Sequence, residues 1–197
     1  NCKILHQSGQ GFGNALIDGI NNVETDYTCI FNADGSFDPK YLKEMLELCE
    51  KDRDFVFASR YKKGGGSDDD TLLTKIGNMI FTFIGRIFFS TKISDILYTF
   101  LLGKTESFKK LELKSNDFCL CVEMPIKAVK IGMNIVDVAS YERKRIAGVK
   151  KVNALPSLLS GALLGGVFAL IFQPTMVAEI GGGTGCRYYD ECLYVDY

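Results

Sequence analysis

Short apolar runs alternate with helical patterns in the first third of the chain. The mainly apolar residues 27–31 lead into the small and acidic stretch NADGSFD, and Pro39 then opens a helical pattern. That pattern places four apolar residues on one face: Leu42, Met45, Leu46 and Cys49. A second apolar run, DFVFASRY, follows at 54–61. This alternation predicts an α/β sheet of parallel strands that binds ligands at their carboxyl ends.

The middle of the chain passes from a polar stretch to an apolar one. The segment KKGGGSDDD at 62–70 buries little apolar surface and predicts an exposed, mobile loop. Residues 71–89 are apolar on most faces but contain Lys75 and Arg86, so a helix at a membrane interface and a core helix both fit. Residues 116–132 predict a strand and then a helix, and 133–151 a strand that ends in a basic cluster.

Residues 152–178 contain no charged side chain. The stretch is long enough to span a bilayer, and the basic cluster before it would keep that end cytoplasmic. Its glycines and other small residues also fit a buried helical hairpin or the apolar start of another domain. Both interpretations stay open for this segment.

Charge and cysteine content narrow the choice of partners. The chain has 23 basic and 24 acidic residues, so no overall field favours nucleic acid, and we expect no nucleic-acid partner. The seven cysteines are odd in number and indicate free thiols in a reducing cytosol. Cys119 and Cys121 form a C-x-C pair, which small core residues explain better than a metal site.

A glycine-rich loop at Gly9, Gly11 and Gly13 leads into a helical pattern. A helix N-terminus is a favourable place for an anion, because its first N–H groups lack partners within the helix. We therefore predict that Gly11 and Gly13 contact a phosphate group of a substrate.

Several ordered motifs carry a family resemblance: GQGFGNALIDGI, NADGSFDP, DFVFASRYKKGGG, ISDILYTF and the segment from CVEM to VNAL. Their order and spacing over about residues 3–155 resemble the family 2 inverting glycosyltransferases, above all the dolichyl-phosphate mannose synthase type and its polysaccharide-building relatives. The resemblance implies a GT-A-like α/β fold. The elements that hold the nucleotide base and ribose would precede Asn1, so we expect a domain that is incomplete at its N-terminus.

The family's metal motif is an Asp-x-Asp at a strand end, and Asn32 and Asp34 stand at its positions. The resemblance implies Mg²⁺ or Mn²⁺ held by Asp34, with Asn32 and Ser36 as weaker oxygen ligands. Asn32 replaces a carboxylate by an amide, which predicts weaker metal binding or a larger share for Asp38. The same residues also fit a turn that caps the helix opened by Pro39.

The family's basic motif implies a clamp on the leaving diphosphate, and the matching residues are Arg145, Gly148, Lys150 and Lys151. An anchor for anionic lipid beside the membrane is an alternative for this cluster.

Two further residues match the family's site. The resemblance places Asp95 in the acceptor region, where it would take the proton of a sugar hydroxyl; a polyprenyl phosphate acceptor would need no strong base. A helix cap, or a buried ion pair with Arg86 or Lys92, fits Asp95 equally well. Arg60 matches a basic residue near the site, with a surface ion pair as its alternative.

These observations predict three parts: a partial glycosyltransferase domain at 1–151, the apolar segment at 152–178 and a tail at 179–197. The tail contains EIGGGTG, which resembles the first motif of class I methyltransferases and indicates either the start of a truncated second domain or coincidence.

The predicted function is transfer of a sugar from a nucleotide-diphosphate sugar to a polyprenyl phosphate or glycan acceptor, by single displacement with inversion. The resemblance implies that this takes place at the cytoplasmic face of a membrane. A non-catalytic, membrane-associated scaffold that retains the fold is the alternative, which Asn32 and the incomplete N-terminus favour.

Overall fold

A four-stranded sheet organises the computed structural model, which describes residues 4–145. Its strands are β1 (Tyr27–Ile30), β2 (Phe55–Ser59), β4 (Leu101–Lys104) and β5 (Ile135–Ala139), in the order β1-β4-β2-β5. The helices are α1 (Phe12–Asn21), α2 (Tyr41–Glu50), α3 (Leu72–Phe89), α4 (Thr105–Lys110) and α5 (Leu120–Lys130). The predicted segments 152–178 and 179–197 lie outside the described residues.

The sheet is mixed, which corrects the expectation of a purely parallel one. β2 and β5 are parallel, whereas β4 runs antiparallel to both β1 and β2 and lies between them. Gly103 allows the close approach of β4 and β2, because a Cβ there would lie 2.3 Å from the ring of Phe55. β1, β2 and β5 still share one direction, so their carboxyl ends meet at one edge of the sheet.

The core lies on both faces of this sheet. Alternate side chains of β2 point in opposite directions, so Phe55 and Phe57 join one apolar cluster and Val56 and Ala58 join the other. Helix α2 covers the second cluster with Met45 and Cys49, both fully buried. The first cluster contains apolar residues of α1, α4 and α5: Ile20, Phe108, Leu120, Met124 and Ala128. The predicted helix at 39–52 is confirmed, although it begins at Tyr41 rather than at Pro39.

The strand predicted before Glu123 is wrong, because residues 120–130 form α5. The Asp117 carboxylate accepts the backbone N–H of Cys119 at 2.8 Å and so fixes the turn before the helix. Leu120, Met124 and Ala128 are buried four residues apart, as expected for one face of a helix. The continuous apolar run FCLCV obscures this spacing in the sequence and resembles a strand.

The segment 62–70 is built into the structure, against the expectation of a mobile loop. Its strand β3 (Gly66–Ser67) pairs in parallel with β6 (Tyr141–Glu142). A Cβ on Gly65 would lie 2.6 Å from the carbonyl oxygen of Ser59, so the glycine permits a close backbone contact. The Ser67 hydroxyl donates to Glu142 at 2.6 Å and accepts the backbone N–H of Asp70 at 3.1 Å.

Helix α3 follows that segment directly. Its N-cap Thr71 forms a capping box with Thr74, in which the two hydroxyls accept each other's backbone N–H at 3.2 and 2.8 Å. Within residues 4–145 it is the one helix that is long and apolar enough to cross a membrane, and only 22% of that window is buried. The alternative of a core helix is therefore wrong for α3.

Candidate active site

Three segments meet at the edge formed by the carboxyl ends of β1, β2 and β5. They are the turn after β1, the segment from Ser59 to Lys62 after β2, and the residues from Ser140 to Arg145 after β5. The backbone N–H of Arg143 donates to the carbonyl oxygen of Ser36 at 2.9 Å, which joins the first segment to the third. This is the edge at which the sequence predicts ligand binding, and that prediction stays a prediction.

Asp34 lies in the turn that follows β1. Its Oδ1 accepts the backbone N–H of Ser36 at 3.0 Å and the Ser36 hydroxyl at 2.6 Å. Gly35 between them has φ 82°, a left-handed conformation that favours glycine. Ser36 is 1% exposed. The structure therefore gives Ser36 the role of orienting Asp34, in place of the predicted role of an open metal ligand.

Asp38 ends the same turn and pairs with basic groups. The backbone N–H of Lys40 donates to its Oδ1 at 3.1 Å, and its Oδ2 contacts the side chains of Lys40 and Arg143. The hydrogen bond from the Lys40 backbone, with smaller contributions from the two side chains, holds the pKa of Asp38 below its ordinary value. Asp38 thus fixes the turn, and both its oxygens are engaged by Lys40 and Arg143 rather than open to a metal.

Arg145 lies beside Asp34, as the resemblance implies for a metal ligand and a phosphate clamp. Its Nε is 3.9 Å from Oδ2 of Asp34 and 3.0 Å from Oδ2 of Asp69. The Arg145 side chain is 56% exposed, whereas that of Asp69 is only 6% exposed. An exposed guanidinium is thus paired with a buried carboxylate at the rim of the site. The other predicted clamp residues, Gly148, Lys150 and Lys151, lie outside the described residues.

Asp34 fits a divalent metal that takes most of its ligands from a bound diphosphate. Oδ1 is used by Ser36, while Oδ2 faces the site with a single ion contact to Arg145. Asn32 is half-buried in the same turn. Residues 4–145 contain no group of three His, Cys, Asp or Glu side chains suited to a metal. One carboxylate with substrate phosphates is a usual arrangement for Mg²⁺, so a protein-only cage is not required.

Arg60 forms a buried hub of ion pairs at the end of β2. Its Nε and Nη2 donate to the two oxygens of Asp95 at 2.7 and 3.0 Å, and its Nη1 contacts Asp70 at 3.5 Å and Glu142 at 3.3 Å. The guanidinium carbon also lies 4.6 Å from the centre of the Tyr98 ring. Only 9% of the Arg60 side chain is exposed. The structure therefore contradicts the surface ion pair and leaves this guanidinium little room to contact substrate.

Asp95 is 1% exposed, and both its oxygens are used by Arg60. Its ion-pair partner is thus Arg60 rather than Arg86 or Lys92. Burial raises the pKa of Asp95, against the opposing effect of Arg60. Burial alone would lower the pKa of Arg60, but Asp95 more than reverses this, and Arg60 stays protonated. In this arrangement Asp95 positions Arg60 and is not open to an acceptor hydroxyl, which differs from the predicted role of a general base.

Gly11 and Gly13 are used for helix packing. Gly11 is the N-cap of α1 with φ 104°, and a Cβ there would lie 2.2 Å from the carbonyl oxygen of Asn116. A Cβ on Gly13 would lie 2.1 Å from the carbonyl oxygen of Ser115, and its N–H donates to Asn116 at 2.9 Å. That carbonyl occupies the place where the sequence predicts a phosphate. The structure thus assigns both glycines to packing rather than to an anion site.

Comparison with known proteins identifies the family. Residues 1–112 match the family model described as Glycosyl transferase family 2, which covers more than half of the chain. The chain belongs to glycosyl transferase family 2. Its curated relatives include the polyprenol monophosphomannose synthase of Mycolicibacterium smegmatis, which is 24% identical over 161 residues. That match covers 76% of this family 2 chain and 59% of the relative, so the chain spans well under two thirds of that relative's length.

Solved structures agree with this family 2 chain in fold. Glucosyl-3-phosphoglycerate synthase from Mycobacterium tuberculosis, in complex with Mn²⁺, uridine diphosphate and phosphoglyceric acid, superposes with a TM-score of 0.54 at 10% identity. The match covers 82% of this chain and 54% of that one. The same enzyme with Mn²⁺, uridine-diphosphate-glucose and glycerol 3-phosphate gives a TM-score of 0.53 at 10% identity, with coverages of 82% and 55%. The expected GT-A-like α/β fold, present in part, is confirmed.

Sequence reasoning missed three acids of this family 2 site: Asp69, Asp70 and Glu142. Asp69 and Asp70 lie in the run that was interpreted as a solvated loop, and Glu142 lies in the basic cluster. A usable signal was present, because the run of aspartates stands immediately before an apolar helix, where acids are stabilised by the helix dipole. Their partners Arg60 and Arg145 are distant in the sequence, so pairing needed the fold.

Proposed function

We propose that this family 2 chain is the catalytic part of a metal-dependent hexosyltransferase that uses a nucleotide-diphosphate sugar. The observation that supports it is the contact between Asp34 and Arg145, whose Oδ2 and Nε are 3.9 Å apart at the carboxyl edge of the sheet. A carboxylate for a metal and a guanidinium for a diphosphate must be neighbours, because the metal and the guanidinium neutralise the same phosphates.

Each site residue then has a role in the transfer. Asp34, oriented by Ser36 and aided by the Asn32 amide, would hold the metal, and Arg145 would bind the diphosphate. The family resemblance assigns Gly148, Lys150 and Lys151, which lie outside the described residues, to the same role. Bound there, Mg²⁺ or Mn²⁺ supplies positive charge to the leaving diphosphate. The acceptor oxygen attacks the anomeric carbon on the side opposite the diphosphate, and the electrons of the broken bond leave with the phosphate oxygen, which inverts that carbon.

We propose a polyprenyl phosphate, rather than a glycan hydroxyl, as the acceptor. A hydroxyl needs a base near the anomeric carbon, and the predicted base Asp95 is engaged by Arg60. A phosphate acceptor is already anionic and needs none. The relative that is named a polyprenol monophosphomannose synthase supports this choice. Such an acceptor would bring the enzyme to a membrane, and we propose that the site lies on its cytoplasmic side.

Calorimetric titration tests the donor site directly. The protein at its full natural length is titrated with UDP and GDP, each with and without Mn²⁺, and the titrations are repeated on Asp34→Ala and Glu47→Ala. Glu47 is an exposed acid of α2 and serves as the matched control. We expect metal-dependent binding of one nucleotide that is lost in Asp34→Ala and kept in Glu47→Ala.

Absence of binding to either nucleotide, in protein shown to be folded by circular dichroism, would overturn the catalytic proposal. That result would favour a non-catalytic scaffold, the alternative that the amide at Asn32 supports. Binding that survives Asp34→Ala would leave a nucleotide site but remove Asp34 from it.

A further inference from the structure

Helix α3 presents a continuous apolar surface to its surroundings. Six large side chains form this outer face, and their exposed fractions lie between 37% and 75%: Leu72, Ile76, Met79, Ile80, Phe83 and Ile87. At 100° per residue they occupy an arc of roughly 100° that runs along the whole helix. A surface helix of a soluble domain normally buries such an arc. This one exposes it, so the outer face needs a partner.

The opposite side of α3 is small and polar, and it is fixed to the domain. Gly77, Asn78, Thr82 and Gly85 are buried. The Asn78 amide donates to the Tyr61 hydroxyl at 2.7 Å, and the Thr82 hydroxyl accepts a backbone N–H at 3.3 Å. The helix therefore cannot cross a bilayer without breaking these contacts. It can lie along a bilayer surface, with the domain above it.

The charged residues of α3 indicate what kind of surface its outer face would contact. Lys75 and Arg86 are its only charged residues, and both are exposed, although Nε of Arg86 also donates to the carbonyl oxygen of Ile93 at 3.1 Å. They are eleven residues apart, about three helical turns, so they lie on the same margin of the outer face. Lysine and arginine at the edge of an apolar helix face reach lipid phosphates while their stems stay on the apolar side. An anionic bilayer surface matches both the apolar face and this basic margin.

A helical protein partner fits the same face less well. Aliphatic side chains at this spacing can also pack on a second helix, but such a partner does not account for the two basic side chains at the margin of the face. We propose that the outer face of α3 lies in the interfacial layer of a bilayer that contains anionic lipid. This deepens the membrane part of the proposed function and rests on it.

Helix α3 begins next to the candidate active site, so contact of its outer face with a bilayer would bring the site close to the lipid. Asp69 and Asp70 immediately precede the helix, and they contact Arg145 and Arg60. The N-terminal end of the apolar face is therefore adjacent to the edge where the diphosphate is to bind. A lipid-linked phosphate held in the bilayer would reach that edge without leaving the membrane.

The chain contains no tryptophan, which makes a single introduced indole a specific reporter. Phe83→Trp places it at the centre of the outer face, where the side chain is 62% exposed, and Ile131→Trp places it at a site that is 52% exposed just after α5. Full-length protein is mixed with vesicles of brominated phosphatidylcholine, with or without phosphatidylglycerol. We expect the emission of Phe83→Trp to shift to shorter wavelength and to be quenched on the anionic vesicles, whereas Ile131→Trp changes little.

Two outcomes would overturn the inference. Phe83→Trp emission that is already at short wavelength without vesicles would mean that another part of the chain or a second copy covers the face, and size-exclusion chromatography would distinguish these. Emission at long wavelength that vesicles leave unchanged would mean that the face does not meet lipid. The measurement uses no nucleotide, so quenching without nucleotide binding would overturn the proposed function alone, and nucleotide binding without quenching would overturn the docking surface alone.

Discussion

Nε of Arg145 lies 3.0 Å from Oδ2 of Asp69, closer than to the proposed metal ligand Asp34 at 3.9 Å. Asp69 comes from the segment before α3, so this ion pair joins two segments that meet only in the fold. A diphosphate that binds at Asp34 needs the same guanidinium. In the proposed site, Asp69 and the substrate phosphates would therefore compete for Arg145.

Asp69→Asn should strengthen binding of the nucleotide diphosphate. The substitution removes the competing charge and leaves Arg145 free to turn toward the phosphates. Because the Arg145 side chain is more than half exposed, the gain should be modest, up to about fivefold in affinity. Titration of both proteins with the nucleotide and Mn²⁺ measures it.

Asp68→Asn is the matched control for that substitution, since it removes one charge from the same acidic run. The Asp68 carboxylate accepts the Tyr141 hydroxyl at 2.5 Å instead. The affinity should stay near that of the unmodified protein. Weaker binding in Asp69→Asn would contradict competition and would assign Asp69 to donor binding.

Two glycines of α1 should respond oppositely to alanine. In Gly13→Ala the new Cβ meets backbone atoms of Ser115 and Asn116, which cannot move cheaply, so we expect a loss of about 1–3 kcal/mol in the free energy of unfolding. In Gly19→Ala the Cβ meets nothing within 4 Å, and the helix should gain about 0.5–1 kcal/mol. Urea unfolding measures both. Unchanged stability of Gly13→Ala with lost nucleotide binding would restore the anion site predicted from the sequence.

The fold was largely predictable because the strongest patterns are local. The runs that form β1, β2 and β5 are mainly apolar and are separated by turns and helices. The spacing of apolar residues and the turn residues between the runs were therefore sufficient to predict these strands. β4 was missed because only Leu101 and Leu102 carry its apolar pattern before Gly103. An antiparallel insertion of so short a strand depends on pairing with both neighbours rather than on its own sequence.

The candidate site was predictable only where a motif is local. Asp34 stands at a strand end, and its turn is visible in the sequence. The partners of Arg60 come from three places along the chain, at Asp70, Asp95 and Glu142, and no spacing rule connects them. Sequence reasoning also offered a surface ion pair for Arg60, whereas the pairing of opposite charges allows this group to be buried.

Stability should depend on pH through Asp137, a buried carboxylate of β5. Burial alone would raise its pKa, but hydrogen bonds from Lys62 at 2.8 Å and from the Ser94 hydroxyl at 2.5 Å bring it below the ordinary value of 3.8. A lowered pKa stabilises the folded state above the ordinary pKa, and this stabilisation is lost as the pH falls through the folded value. Asp137→Asn should therefore cost about 2 kcal/mol at pH 7, and the difference should shrink below about pH 4.

Urea unfolding of both proteins at several pH values measures this effect. Asp18→Asn is a suitable comparison, because Asp18 is partly exposed and, among the described residues, its carboxylate accepts hydrogen bonds from Ser8 alone. A difference between Asp137→Asn and the unmodified protein that stays constant from neutral to acid pH would contradict a role for the ionised carboxylate.

Arg60→Met should be strongly destabilising. The substitution leaves Asp70, Asp95 and Glu142 close together without their common cation, and removal of one partner from a buried ion pair costs about 3–5 kcal/mol. Lys104→Met is the control, because its partner Asp52 is 95% exposed and the pair, at 3.6 Å, should contribute less than about 1 kcal/mol. Equal losses in the two variants would contradict a buried hub at Arg60.

Arg60→Lys tests whether the buried acids need only a positive charge at residue 60 or also the shape of the guanidinium. It also provides a test if Arg60→Met does not fold. Lysine keeps the positive charge, but a single ammonium cannot donate in parallel to both oxygens of Asp95 and also reach Glu142. We expect a partial loss of stability. The nucleotide affinity per folded molecule should stay unchanged, because Arg60 contacts buried acids and not the substrate. A loss of nucleotide affinity in well-folded Arg60→Lys would instead place this guanidinium in contact with the substrate, as the family resemblance implies.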